Sequence, residues 1–149
     1  MRALTALAAT SALLGACATP MEPAPGGPPM ADNGNDCAVI AAIAREHYRF
    51  NDTDNRPLPI RFEGDYAPRC DWSRYGLTFT PYNADAPGDP RERVRWVSFA
   101  KPAYDGRGAV VETGIMHGPL AGMGYECRVI SGFAGWTVPE GSCRETWVS

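Results

Sequence analysis

Two histidines and three alternating arginines are the groups in this sequence best suited to chemistry. His47 and His117 are its only imidazoles. An imidazole trades protons near neutral pH and, as the neutral base, ligates metals. With Glu46 or Glu112 the pair would make an acid–base or metal-binding group if the fold brought them together, although no spacing links them. Arg91, Arg93 and Arg95 alternate with Glu92, Val94 and Trp96. In a strand that alternation places three guanidiniums on one face. Their planar forks would grip a carboxylate, a phosphate or a sugar acid; on a solvated edge the same charges simply discourage aggregation. A lysine nucleophile would have to be the sole lysine, Lys101, which stands next to Pro102. The G-x-S-x-G, H-E-x-x-H and G-x-x-x-x-G-K-[ST] spacings do not occur in the sequence. Asp52, Asp54 and Asn55 lack the ligand ladder and closing glutamate of a calcium loop. No metal or cofactor is assigned, and the reading leans away from an enzyme.

The elements that must position these groups are most legible after Val94. Apolar runs (VRWVSFA, AVVETGIM, GYECRVI, GWTV and ETWV) alternate with Gly-rich breaks at Asp105-Gly106, Gly118 to Gly124 and Gly132 to Gly135. Short apolar runs between such breaks are the sequence form of hairpin-linked strands, here a C-terminal antiparallel meander. Upstream, Cys37, Ile40, Ile43, Ala44 and His47 or Tyr48 recur at three- and four-residue spacing, the stripe of an amphipathic helix over about 37–48. Asp36 is placed to cap it. Residues 51–59 read as a loop, Ile60 to Glu63 and Leu77 to Thr80 as short strands, and Asp71 to Gly76 as a turn between them. Trp72, Trp96, Trp136 and Trp147 are core candidates that could alternatively line a pocket.

The N-terminus carries an address. Arg2 precedes an apolar run from Ala3 to Leu14, after which stands Leu14-Gly15-Ala16-Cys17. One positive charge, a short apolar core and small residues make a signal-peptide pattern, and the core is too short to span a bilayer as a mature helix. The Leu14-Gly15-Ala16-Cys17 motif resembles the lipobox of bacterial lipoproteins. That resemblance implies cleavage after residue 16, diacylglycerol on Cys17 and acylation of the new amino terminus, with the bilayer as a partner. Two or three acyl chains anchor stably where one does not. Ala18 after the cysteine resembles the outer-membrane sorting pattern, which would place the protein on that membrane facing the periplasm. Residues 17–36 hold Pro20, Pro23, Pro25, Pro28, Pro29 and three glycines. This composition reads as an extended tether reaching roughly 50 Å at ~3.1 Å per residue. A formal net charge of −3 argues against nucleic acid and against electrostatic attraction to anionic lipid.

With Cys17 lipidated as the resemblance implies, Cys37, Cys70, Cys127 and Cys143 remain. An even number in an exported chain with no C-x-x-C favours two disulfides. Three pairings are possible. The meander brings its last two long strands together and so favours Cys127 with Cys143, leaving Cys37 with Cys70.

The sequence therefore predicts an α+β domain over 37–149: an N-terminal helix packed on a curled antiparallel β-meander of four or five strands, stapled by two disulfides. Its element order resembles cystatin-like and nuclear-transport-factor-like rolls, a likeness that carries no site residues across. The expected role is a membrane-anchored, non-catalytic binding domain whose partner is another envelope protein or a cell-wall component. The alternative is a small-ligand cup, with or without catalysis, using His47, His117 and the Arg91/Arg93/Arg95 row.

Overall fold

A computed structural model describes residues 34–149. The signal peptide, Cys17 and nearly all of the tether lie outside the described residues. The domain is α+β, with a short helix against a curled mixed sheet and two disulfides. Helix α1 (Asp36–Ala42) runs directly into a π-helical turn, Ile43–His47. Seven strands follow: β1 (Ile60–Phe62), β2 (Trp96–Phe99), β3 (Ala103–Tyr104), β4 (Gly108–Gly118), β5 (Ala121–Gly132), β6 (Gly135–Thr137) and β7 (Cys143–Val148). The main path across the sheet is β1-β2-β4-β5-β6, with β3 also on β4 and β7 also on β5.

Several expectations require correction. The sheet has seven strands rather than four or five, and it is mixed, because β1 pairs in parallel with β2. Ile60 to Glu63, read as a short strand, is β1 and joins the meander's sheet rather than standing apart from it, and β3, two residues long, is too short for a pattern to mark it. The helix is not N-terminal in the chain; it begins at Asp36, behind the tether. Nor does Asp36 cap it. Asn35 holds the cap position, without a side-chain cap, and Asp36 is the first helical residue. Leu77 to Thr80 is not a strand: it joins the sheet only through a single bridge nearby, between Ile60 and Pro81. Asp71 to Gly76 tightens into a 3-10 turn, Trp72–Tyr75.

The core follows from strand alternation. In β4, Ala109, Val111, Thr113 and Ile115 are buried. Across the ladder Cys127 pairs with Val111 and Val129 with Ala109, and β2 adds Val97 and Phe99 to the core. Helix residues Val39, Ile40 and Ile43 complete the same core. Each fully buried aliphatic or aromatic side chain contributes about 1.5–3 kcal/mol. Thr113 is the polar exception in β4. Its hydroxyl donates to the Ser98 carbonyl at 2.7 Å and meets the Tyr48 hydroxyl at 3.1 Å. Its one proton being committed, Thr113 accepts from Tyr48.

Asp36 is the buried charge-bearing residue at the other end of the helix. Its carboxylate accepts hydrogen bonds from Tyr66 at 2.7 Å and Tyr104 at 2.5 Å. One residue on, Cys37 is bonded to Cys70. Both links tie the irregular stretch after β1 to the start of α1. The second disulfide, Cys127–Cys143, joins directly paired positions of β5 and β7.

The segment Gly118 to Gly124, read as a loop, is mostly strand. Gly118 pairs with Ala121, so Pro119 and Leu120 alone make the turn. Leu120 takes φ 56, the left-handed position that favours glycine in such a turn. Gly122 and Gly124 continue β5, and their reason is packing. A Cβ on Gly124 would come within 1.9 Å of the Trp147 indole nitrogen, and one on Gly122 within 2.3 Å of the Met116 sulfur.

Candidate functional site

The described residues bring polar and reactive groups together in two places, one on each face of the sheet. The inner one surrounds His47. The wider π turn carries this ring to the end of the helix, where it meets Tyr125 edge-on at 4.4 Å and Tyr48 at 4.7 Å. A π turn inserted in a helix often accompanies a functional position. A nitrogen of His47 and the sulfurs of Cys127 and Cys143 lie within 4.8 Å of one another. These sulfurs are bonded to each other, so in this state they supply no thiolate to a metal. Beside His47 opens a cleft of about 750 Å³ reaching Arg49, Glu140 and Cys143. Glu46 fixes its far wall by accepting from the Val138 amide at 2.6 Å.

Burial, reinforced by the Arg49 charge, holds the His47 imidazole below its ordinary pKa of 6.5. Burial likewise raises the Tyr48 phenol, so Tyr48 stays protonated. For His47 the folded state binds fewer protons than the unfolded chain between the lowered pKa and 6.5. Stability in that window therefore rises with pH. It is present above about pH 6.5 and is lost as pH falls through the lowered value. Replacing His47 with Gln is expected to remove this part of the acid destabilisation. Denaturant midpoints at pH 7.5 and pH 5 check it; an unchanged difference between the two would refute it.

The other sequence-nominated groups lie elsewhere. His117 is exposed near the β4–β5 turn. Tyr125, which touches His47, pairs with Thr113; His117 is four positions further along β4, roughly 13 Å at ~3.3 Å per residue. The arginines form no strand face. Glu92–Val94 is a 3-10 turn, and β2 begins only at Trp96. The turn instead pairs Arg95 with Glu92 at 2.9 Å and hangs the Arg91 amide on Asp89 at 2.9 Å. Asp89-Pro90 upstream favours such a turn over extended chain. His47, His117 and the arginine row thus line no common cavity.

The outer face carries a site of which the sequence singled out only Trp96 and Trp147, as residues that could line a pocket. Arg61 pairs with Ser98, Ser98 with Gly114, Gly114 with Gly124, and Gly124 with Trp147. One rung thus crosses five strands, with a serine and two glycines between an arginine and a tryptophan. Trp147 folds inward over the glycines: Cβ atoms on Gly124 and Gly114 would lie 1.9 and 2.9 Å from it. The remaining trough is a cleft of about 270 Å³ reaching Arg61, Glu63, Trp96, Ser98, Glu112 and Trp147. Arg61 lies over Trp96, its guanidinium carbon 4.7 Å from the ring centre, a cation–π contact. Glu112 stands opposite Glu126 in the ladder, and Glu126 is taken by Arg144 at 2.7 Å. The signals were present in the sequence: the single charge in Ile60-Arg61-Phe62, glycines at alternate positions 122 and 124, and a tryptophan in the last apolar run.

No family model, curated protein or solved structure matches the chain. Its function is therefore argued from its own residues.

Proposed function

We propose that the protein is a membrane-anchored envelope lipoprotein whose α+β domain is a non-catalytic binding module. One observation carries the anchoring: the Leu14-Gly15-Ala16-Cys17 motif directly behind a short apolar core and a single arginine. The Pro- and Gly-rich residues 17–36 then act as a spacer, and Ala18 directs the protein to the outer membrane, domain in the periplasm. Two disulfides in a chain of 149 residues suit an oxidising compartment. Binding is favoured over catalysis by the separation of the two histidines and by the pairing of Arg95 with Glu92. The same separation counts against a ligand cup built from His47, His117 and Arg91, Arg93 and Arg95 together. The partner is another envelope protein or a wall component.

The anchor is tested by Cys17→Ala. Lipidation contributes about 0.8 kcal/mol per buried methylene, so its loss is expected to move the protein from the membrane pellet to the soluble fraction. A variant still retained in membranes after a carbonate wash would remove the anchor from this reading. Crosslinking of the wild type in envelope membranes, with the variant as control, then reads whether the domain engages a partner.

A further inference from the structure

We propose that the outer-face cleft between Trp147 and Trp96 binds a pyranose ring of an uncharged glycan, with Arg61, Glu63 and Glu112 holding its hydroxyls. This rests on the reading of the domain as a binding module and names what it binds.

Across the rung from Arg61 to Trp147, side-chain volume falls to a hydroxymethyl at Ser98 and to nothing at Gly114 and Gly124. Trp147 fills the trough over Gly124, and a side chain at position 124 would collide with it. It stays 40% exposed, which is unusual for an indole pressed so closely onto backbone. The remainder of the trough, over Ser98 and Gly114, is the cleft. Trp96 bounds its far side and is held there by Arg61. Two indoles thus flank a gap floored by strand backbone: Trp147, and Trp96 with Arg61 laid over it.

The polar groups select the class of ligand. The carboxylates of Glu63 and Glu112 make no ion pair or side-chain hydrogen bond among the described residues. Glu112 faces Glu126 across the ladder, a like-charge arrangement that disfavours the sheet. A phosphate or carboxylate ligand would meet these two acids. A cation would compete with Arg61 for the face of Trp96. A sugar hydroxyl meets neither obstacle, because it donates to a carboxylate and accepts from a guanidinium. The C–H face of a pyranose presents weakly positive hydrogens, which the negative face of an indole attracts.

The test uses the full-length protein in detergent micelles, titrated with the β-1,4-linked tetramer of N-acetylglucosamine and with cellotetraose. Tryptophan emission is the readout. Saturable binding of either tetramer is expected, and the difference between them tells an N-acetylated wall glycan from a plain glucan. Trp147→Ala is expected to weaken binding by about tenfold or more, as for loss of a stacking platform elsewhere. Because that change also uncovers the glycines, Glu112→Gln serves as the second variant. It sits on the surface without an ion pair, and it is expected to weaken binding by about fivefold while thermal stability holds or rises slightly, because the like-charge contact with Glu126 is relieved. Failure of both tetramers to bind, equal affinity in both variants and wild type, or displacement by choline or inorganic phosphate would overturn the glycan. A crosslinked envelope protein found with no response to either tetramer would remove the glycan alone and leave the binding module standing.

Discussion

Asp36→Ala is expected to destabilise the domain by about 3 kcal/mol, because hydrogen bonds to a charged group contribute about 1.5–3 kcal/mol each. Asp36 is only 1% exposed and accepts from both Tyr66 and Tyr104. Those tyrosines come from the loop after β1 and from β3, so the carboxylate joins three segments distant in sequence. Alanine would withdraw the acceptor from both phenols at once. The melting temperature of a domain this size should drop by roughly 10–15 °C. Tyr66→Phe and Tyr104→Phe each remove one bond and should cost about 1–2 kcal/mol. Thermal unfolding followed by circular dichroism measures all three. An Asp36→Ala loss below about 1 kcal/mol would mean that the cluster is incidental to stability.

Opening the Cys37–Cys70 link with serine at both positions should cost about 4 kcal/mol. The sequence separation is 33 residues, and the loop-closure entropy recovered by the unfolded chain sets that magnitude. The shorter Cys127–Cys143 link, with a separation of 16, would contribute about 3 kcal/mol on the same basis. The longer link also fastens a region with little regular structure: between β1 and β2 there are only two 3-10 turns. Both cysteines are half-buried, so serine hydroxyls are tolerated there. Urea unfolding should show a lower midpoint and a steeper m-value, since an unstapled chain expands further when denatured. An unchanged midpoint would show that neighbouring packing alone holds the region. Because Asp36 and Cys37 are adjacent, their losses should combine non-additively in a double-mutant cycle.

These two residues also show where sequence reasoning stops. The amphipathic spacing of Val39, Ile40 and Ile43 marked a helix, and alternation marked all five of the longer C-terminal strand regions. An even set of four cysteines in the folded domain pointed to two disulfides. Asp36 looked like a cap because capping is a local rule; its actual partners lie 30 and 68 positions away. The 3-10 turn over the arginines is likewise local, but it competes with an equally good alternating pattern, and Asp89-Pro90 decides the outcome. Gly122 and Gly124 read as a loop because a glycine in a strand has no side chain to explain it. Its explanation sits on another strand, in Trp147. The outer-face cleft was illegible for the same reason: it exists only through the register of five strands, and no single segment encodes it.

The order of the disulfides along the chain has a kinetic consequence. Each cysteine of the folded domain is bonded to its nearest neighbour in sequence, Cys37 to Cys70 and Cys127 to Cys143. Among these four cysteines, every alternative pairing closes a longer loop than the native bond that it displaces. Loop-closure entropy rises with length, so a reduced, unfolded chain oxidising at random already favours the native pairs. A chain emerging amino terminus first would meet the same bias in time, because Cys37 and Cys70 are both available before Cys127 appears. Oxidative folding of this domain thus proceeds toward native connectivity with little need for a catalyst to reshuffle its bonds.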